Sequence, residues 1–499
     1  MTNLPVSPQN ERNMLQKKWQ QTCISLIPLI VLVALLALNI SIFGSDAILG
    51  ASQVVLLFSA GVCIWLSMRF FHIPWEKFEE AISGHIADVG SAILILFLIG
   101  AVSGTWTMSG VVPTLICWGI RVIHPKIFLA AACIICALVS LMVGSSWTTI
   151  ATIGVALMGI GKAEGFSDGL IAGAIISGAY FGDKISPLSD TTVLAASLNT
   201  VPLFTHIRYM LVTTIPSITI TLVAFSVIGW LHPAADAGTI ASFEDALSSR
   251  FLLSPWLMLV PLATAVMIAR KMPALAVLAL STLLAAGAAL VFQPGVIREI
   301  GEAVTGPASQ TRILLAGTIE TIYNTVSIHT GNAEVDALVT TRGMLGMLNT
   351  VFLIICAMCF GASMQASGML RRIASLLLPL TRKRAGMVAS TAAAGTLLNG
   401  IVSDQYLSII LTSNLFKDTF KERGYENRLL SRTVEDSATV TSPIFPWSSC
   451  GMTQATILSV PTLAYAPFCF FNIISPMMSI FVAIIGYKIF RKEATTSPS

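Results

Sequence analysis

Charge is scarce in this chain: 11% of its 499 residues are Asp, Glu, Lys or Arg, against about 25% in an average soluble domain. That shortage excludes an ordinary hydrated surface. The net charge of +4 comes from scattered Lys and Arg, so a nucleic-acid partner is excluded as well. HExxH, a nucleophile elbow and a phosphate loop are all missing, which leaves no motif for an enzyme. No strand repeats in the manner of a selectivity filter, which disfavours a passive channel. The six histidines lie mostly beside Pro or Arg near segment ends, where they read as interfacial, and none has metal-ligand spacing. Two of the cysteine pairs, Cys133/Cys136 and Cys356/Cys359, have CxxC spacing inside apolar runs with no histidine nearby, and read as small apolar residues. Alternating segments of roughly ten residues, the mark of a membrane β-barrel, are absent too. The first apolar run, 24–43, has no small-residue cleavage site after it, so it reads as a spanning helix rather than a removed signal peptide.

What remains is apolar sequence, 55% of the chain, with a mean hydropathy of +0.81. Its unit is a run of about 20 residues, the length a helix needs to cross roughly 30 Å of hydrocarbon. Clear runs fall at 24–43, 47–68, 126–143, 207–231, 253–269, 273–292, 348–362 and 468–490. Segments broken by Gly, Ser and Thr lie at 89–120, 145–160, 168–200, 386–416 and 429–462. The expectation is an all-α polytopic membrane protein of about 10–13 membrane segments. It has two related halves, with broken helices and re-entrant hairpins. The division is a tail at 1–22, a first transmembrane half at 23–206, connecting helices and loop at 207–346, a second half at 347–490 and a tail at 491–499. Basic residues gather at Arg12/Lys17/Lys18, Arg69/Lys77, Arg270/Lys271, Arg371/Arg372/Arg382/Lys383/Arg384 and Lys488/Arg491/Lys492, which places both termini in the cytoplasm. The stretches 232–250 and 294–346 are poorer in Lys and Arg and are expected outside, the second with room for short interfacial helices.

Sliding the chain against itself by 256 residues lays Gly144 on Gly400 and Ser186-Pro187 on Ser442-Pro443. A little earlier, "GTWTMSG" (104–110) resembles "GASMQASG" (361–368) at a shift of 258. The relative orientation of the halves depends on the parity of crossings between them, which the sequence leaves open. Four polar breaks recur in the two halves: "VGSSWTT" (143–149), "GDKISPLSD" (182–190), "NGIVSDQ" (399–405) and "VEDSATVTSP" (434–443). An unpaired backbone group in hydrocarbon costs several kcal/mol, so non-helical backbone at depth persists only where protein or a water-filled cavity surrounds it. Breaks of this composition therefore mark a lined cavity. Freed carbonyls and Ser, Thr, Asn and Asp side chains give Na+ its oxygen ligands, and a half-helix N-terminus can hold an anion.

A carboxylate within the membrane costs about 3 kcal/mol or more to insert, which makes each one a functional candidate. Asp183, Asp190, Asp404, Glu435 and Asp436 qualify. Blander readings stand beside them. Asp183 could pair with Lys184, Asp190 could cap the helix beginning at Thr191, and Glu435 or Asp436 could pair with Arg428 or Arg432. Glu435 and Asp436 are adjacent and face different sides of a helix, and Asp436 is favoured for the cavity.

The strings "SGAYFGDKISPLSDTTVLAAS" (177–197) and "VGSSWTTIATIGVALMGIG" (143–161) resemble the NhaC family of bacterial Na+/H+ antiporters. "NGIVSDQYLSIILTSNLFKD" followed by "SRTVEDSATVTSPIFPWSSCG" is similar to that family's C-terminal signature, and the likeness runs from about residue 24 to 490. The resemblance implies a secondary transporter of the bacterial inner (plasma) membrane and carries the family's polar motifs onto Asp183, Ser186, Asp190, Asp404 and Asp436. It leaves the substrate open, since some relatives are similar to malate/lactate exchangers and others carry amino acids.

The expectation is a Na+/H+ antiporter in which the two cations compete for Asp404 or Asp183, with Ser145, Ser146, Thr148, Ser186, Asn399 and Ser403 completing the site. Na+ and H+ are cargo and no cofactor is expected. The alternative is a Na+-coupled exchanger or symporter of a small carboxylate or amino acid, its anion held at a half-helix N-terminus near Ser145/Ser146 or Ser403. The bilayer is the expected surrounding and a homo-oligomer is left open.

Overall fold

The computed structural model describes residues 8–43, 50–232, 237–270, 272–376, 381 and 383–490. The tail 491–499 with Arg491 and Lys492, the basic residues Lys271 and Arg382, and residues 1–7 of the N-terminal tail lie outside the described residues, as do the side chains of Arg12, Lys17 and Lys18. The described chain consists of helices and the turns and loops between them, with one isolated antiparallel bridge, Val326 to Thr341. It is an all-α polytopic membrane protein. Eight described helices are long and apolar enough to span a bilayer, or ten if each of two bent pairs is one span, which meets the expected 10–13 at its lower edge. One of the bent pairs falls at the 253–269 run: Ala241–Arg250 and Pro255–Ala269 meet at 90°.

Three helices open the chain: α1 (Pro8–Phe43), α2 (Ala51–Phe71) and the amphipathic α3 (Trp75–Asp88). A first unit follows, comprising α4 (Gly90–Met108), α5 (Val111–Val122), α6 (Pro125–Val143), α7 (Ser146–Thr149), α8 (Val155–Ala163), α9 (Asp168–Ile185), α10 (Asp190–Leu198) and α11 (Leu203–Leu231). A π turn, Ile150–Gly154, joins α7 to α8, so Ser146 to Ala163 is one continuous helix. The connecting stretch holds α12 (Ala237–Arg250), α13 (Leu259–Ala269), α14 (Ala274–Phe292), α15 (Pro294–Thr305), α16 (Gln310–Tyr323) and α17 (Ala333–Val339). The stretch 294–346 holds short helices, for which the sequence left room: α15 and α16 fold back on each other and α16 packs against α4. A second unit closes the chain with α18 (Leu348–Ala366), α19 (Met369–Ser375), α20 (Arg384–Val402), α21 (Gln405–Glu422), α22 (Asn427–Val434), α23 (Ser449–Leu458), α24 (Thr462–Tyr465) and α25 (Phe470–Ile485).

The two units keep step with each other. Helix starts pair as Pro125/Arg384, Ser146/Gln405, Asp168/Asn427, Asp190/Ser449 and Leu203/Thr462, each pair 259 residues apart. Caps pair at the same spacing: Gly144 and Ser403 are both left-handed, at φ 70° and 62°, Ser189 and Ser448 each cap a helix through the hydroxyl, and Pro202 and Pro461 each precede one. One step earlier, α4 and α18 both end at a left-handed glycine, Gly110 and Gly368. Packing between the units is reciprocal. The α9 helix lies on α24 and α25 while α22 lies on α11; α10 lies on α21 while α23 lies on α7 and its π turn. Reciprocal pairing of this kind is what a two-fold relation between halves produces. The gap-free shift of 256 therefore found the repeat at the wrong register, because Gly400 lies inside α20 and the residue standing where Gly144 stands is Ser403. By the same correspondence α11, assigned to the connecting part from sequence, matches α24–α25.

Close approach of α6 and α9 sets the geometry of the site. A Cβ on Gly178 would meet the Cys133 carbonyl oxygen at 2.0 Å, and one on Gly182 would meet the Ala137 oxygen at 2.2 Å. Glycines four apart let two backbones touch where lipid offers no competing hydrophobic drive. Both CxxC pairs consist of free cysteines on α6 and α18. His85 and His206 are buried, contrary to an interfacial reading of all six histidines.

Candidate functional site: a carboxylate-lined cavity between broken helices

All four polar breaks interrupt helices. Gly144–Ser145 separates α6 from α7, residues 186–189 separate α9 from α10, Ser403–Asp404 separates α20 from α21, and a π turn, Glu435–Thr439, with an irregular stretch to Ser448 separates α22 from α23. Between them lies a cavity of about 550 Å³ lined by Ser145, Ser146, Thr148, Asp183, Asp190 and Asp404 from the expected set. Asp88, Trp147, Gln405, Tyr406 and Cys450 join them.

Gly144 takes the left-handed conformation that glycine adopts without strain, and Ser145 follows in extended backbone, its hydroxyl accepting from the Thr148 amide at 3.3 Å. The carboxylate of Asp183 closes onto the same helix start: Oδ2 accepts from the Ser146 amide at 3.1 Å and from its hydroxyl at 2.7 Å. Asp183 is 5% exposed, and its Oδ1 has no hydrogen-bond partner. In the second unit Ser403 is left-handed and Asp404, also 5% exposed, caps α21 by accepting from the Leu407 amide at 2.9 Å. Each broken helix thus has its N-terminal dipole engaged by one of the protein's own carboxylates. Asp190 and Asp88 are exposed members of the lining. Ser189 rather than Asp190 caps α10; Asp190 Oδ1 accepts from the Thr191 amide at 3.0 Å, and its Oδ2 accepts the Tyr406 hydroxyl at 2.7 Å, which bridges the two units.

Four expected residues lie elsewhere. Ser186 donates to the Leu141 carbonyl at 2.8 Å and braces the break instead of facing the cavity. Asn399 donates to the Ala438 carbonyl at 2.6 Å and the Thr441 hydroxyl at 2.9 Å, holding α20 against the π turn. Ser403 turns a partnerless hydroxyl into the protein and offers its carbonyl to the Ser449 amide at 2.8 Å. Asp436 belongs to a separate, fully buried cluster. Its Oδ1 receives Lys184 and, at 3.1 Å, the Thr213 hydroxyl, while Arg432 stands 3.8 Å from Oδ2 and over the Tyr209 ring. Lys184 also donates to Ser475 at 2.9 Å. Lys184 therefore does not pair with Asp183, and Arg428 pairs with Glu426. Glu435 comes nearer the cavity than Asp436, through Thr191 at 3.4 Å. Tyr406 was visible in the "SDQY" string, but Asp88, at the end of an amphipathic helix, carried no such signal.

Among described residues the lining contains no Lys, Arg or His. A cavity lined by carboxylates, hydroxyls and apolar side chains attracts cations. The model of the Na+/H+ antiporter family matches residues 14–197 and 178–487. The chain is 35% identical to the Na+/H+ antiporter NhaC of Alkalihalophilus pseudofirmus, over 87% of this chain and 91% of that one. It is 34% identical to the malate-2H+/Na+-lactate antiporter of Bacillus subtilis (89% and 91%) and 32% identical to the arginine/ornithine antiporter ArcD of Halobacterium salinarum (95% and 94%). With both its halves matched and these relatives covered nearly end to end, the chain belongs to the Na+/H+ antiporter family.

Proposed function

We propose that this protein exchanges Na+ for H+ across the bacterial inner (plasma) membrane, with both termini in the cytoplasm. Na+ and H+ are cargo, and no enzyme chemistry or resident cofactor is assigned. The observation that carries the proposal is Asp183 Oδ1, buried beside the cavity without a partner while Oδ2 is held by Ser146. A buried carboxylate oxygen left bare costs several kcal/mol, and either a proton or a small cation on that oxygen removes the cost. One oxygen cannot hold both, so entry of one cation expels the other. Asp404, lining the same cavity from the second unit, is the second acceptor. Ser145, Ser146, Thr148 and Gln405 supply further oxygens. Rocking of one unit against the other would present these groups to each side in turn.

Exchange of an organic acid, the activity for which the Bacillus subtilis relative is named, is the second reading. It has less support, since the lining offers no cationic side chain among the described residues and both helix N-termini are already occupied. The test is purified protein in liposomes containing a pH dye, given Na+, Li+ or K+. Na+ should move protons, and Asp183→Asn and Asp404→Asn should abolish the flux at normal expression. Undiminished flux in both variants would refute the assignment.

A further inference from the structure

We infer that the cavity also takes organic ammonium ions lacking a carboxylate, of the size and class of a short aliphatic diamine, in exchange for protons. The inference rests on the cation reading above and extends it from a bare ion to an organic one.

Size is the first argument. About 550 Å³ is far more room than the few oxygen ligands of a bare Na+ require. It falls inside the range of pockets that hold small organic molecules, about 300–1,000 Å³. The second argument is the character of the walls. Carboxylates are among the lining, Asp183 with a partnerless, buried Oδ1. Ile95, Ile268, Met272, Val277 and Ile354 are apolar members of it. Apolar side chains give Na+ no ligand, yet they are what the methylene stem of an alkylammonium covers while its head meets a carboxylate. Trp147 and Tyr406 add aromatic faces of the kind that attract organic cations.

Charge then narrows the class. Asp88, Asp183, Asp190 and Asp404 line the cavity with no basic side chain among the described lining to oppose them. A diamine brings two positive heads to this set of acids. A substrate bearing its own carboxylate would place that group against them and find the Ser146 and Leu407 amides already taken.

The experiment uses the full-length protein in interior-acid liposomes, measuring uptake of labelled 1,4-diaminobutane, ornithine and malate with protein-free vesicles subtracted; 22Na+ uptake is followed in the same preparation. Diaminobutane should enter above the protein-free rate, Na+ should inhibit it competitively, and Asp183→Asn should bring it to the protein-free rate. A second variant, Ala274→Trp, adds bulk to the apolar lining and should lower diaminobutane uptake relative to 22Na+ uptake by about tenfold or more, the scale of steric discrimination in an apolar pocket. Absence of diaminobutane uptake while 22Na+ exchange persists would overturn the inference and leave the antiport reading standing. Uptake of ornithine or malate without diaminobutane would overturn it equally. Loss of 22Na+ exchange as well would remove both.

Discussion

The cluster of Lys184, Asp436 and Arg432 makes an ordered prediction. All three side chains are fully buried, and the two cations share one carboxylate. Removing one partner of a buried pair costs about 3–5 kcal/mol, mostly because the survivor is left charged and unsolvated. In Lys184→Met the survivor is Asp436, which keeps Arg432 at 3.8 Å and Thr213 at 3.1 Å, so the loss should lie at or below about 3 kcal/mol. In Asp436→Leu two cations are stranded together, and two such losses sum to roughly 6 kcal/mol or more, which enters the 5–15 kcal/mol or so that holds a typical fold. The guanidinium is the more exposed to this loss, since none of its three nitrogens has a hydrogen-bond partner and Asp436 supplies its compensating charge. Replacing all three residues, as Lys184→Met/Asp436→Leu/Arg432→Met, should recover most of the stability, because well-packed apolar residues often equal a buried ionic cluster. The assay is thermal unfolding of detergent-purified protein followed by tryptophan fluorescence, with the monodisperse yield beside it. Asp436→Leu should unfold well below Lys184→Met, and the triple variant above Asp436→Leu. An Asp436→Leu protein as stable as Lys184→Met would refute the reasoning.

Two further outcomes follow from local geometry. Gly144→Ala forces an L-residue to φ 70°, at about 1–2 kcal/mol, and brings its Cβ to 2.7 Å from the Leu188 backbone, so it should slow Na+-driven proton flux in liposomes while expression holds; wild-type flux would show that the two breaks need not touch. In the connecting loop, the Thr330 hydroxyl and amide hold the Asp336 carboxyl below its usual 3.8, so its contribution is complete above that value and is lost as pH falls through the lower folded one; the Thr330 amide should stay protected from hydrogen exchange from neutral pH to about pH 4 and lose protection in Asp336→Asn at neutral pH.

Breaks were legible in the sequence because glycine, hydroxyls, proline and acids inside apolar runs have a direct cost in lipid, and all four appear where that cost placed them. Side-chain direction was not legible. Asp183 and Lys184 are neighbours in the chain, which suggested a local pair, but consecutive residues on a helix face different ways. One therefore reaches the cavity and the other the buried cluster. Asp436 was misplaced for a related reason: it lies in a π turn, Glu435–Thr439, whose extra residue per turn shifts the phase of every side chain it carries. The repeat was found through Gly and Ser-Pro identities, whereas the units conserve helix starts and caps with different residues in them. A serine caps one broken helix and an aspartate the other.

That substitution bears on how the units could move. Asp183 is tied to Ser146 within the first unit and Asp404 to Leu407 within the second, so each acid would travel with its own unit. Ties that cross between units differ in depth. Tyr406 meets Asp190 where both side chains are exposed, and a hydrogen bond to a charged group there is worth about 1.5–3 kcal/mol, replaceable by water. Lys184 meets Asp436 where neither has any exposure, and parting them would cost about 3–5 kcal/mol with nothing to replace the contact. If the units rock, parting at the Asp190 edge of the cavity would cost less than parting at Lys184 and Asp436, so the dry cluster would act as the pivot while the acids of the cavity change sides.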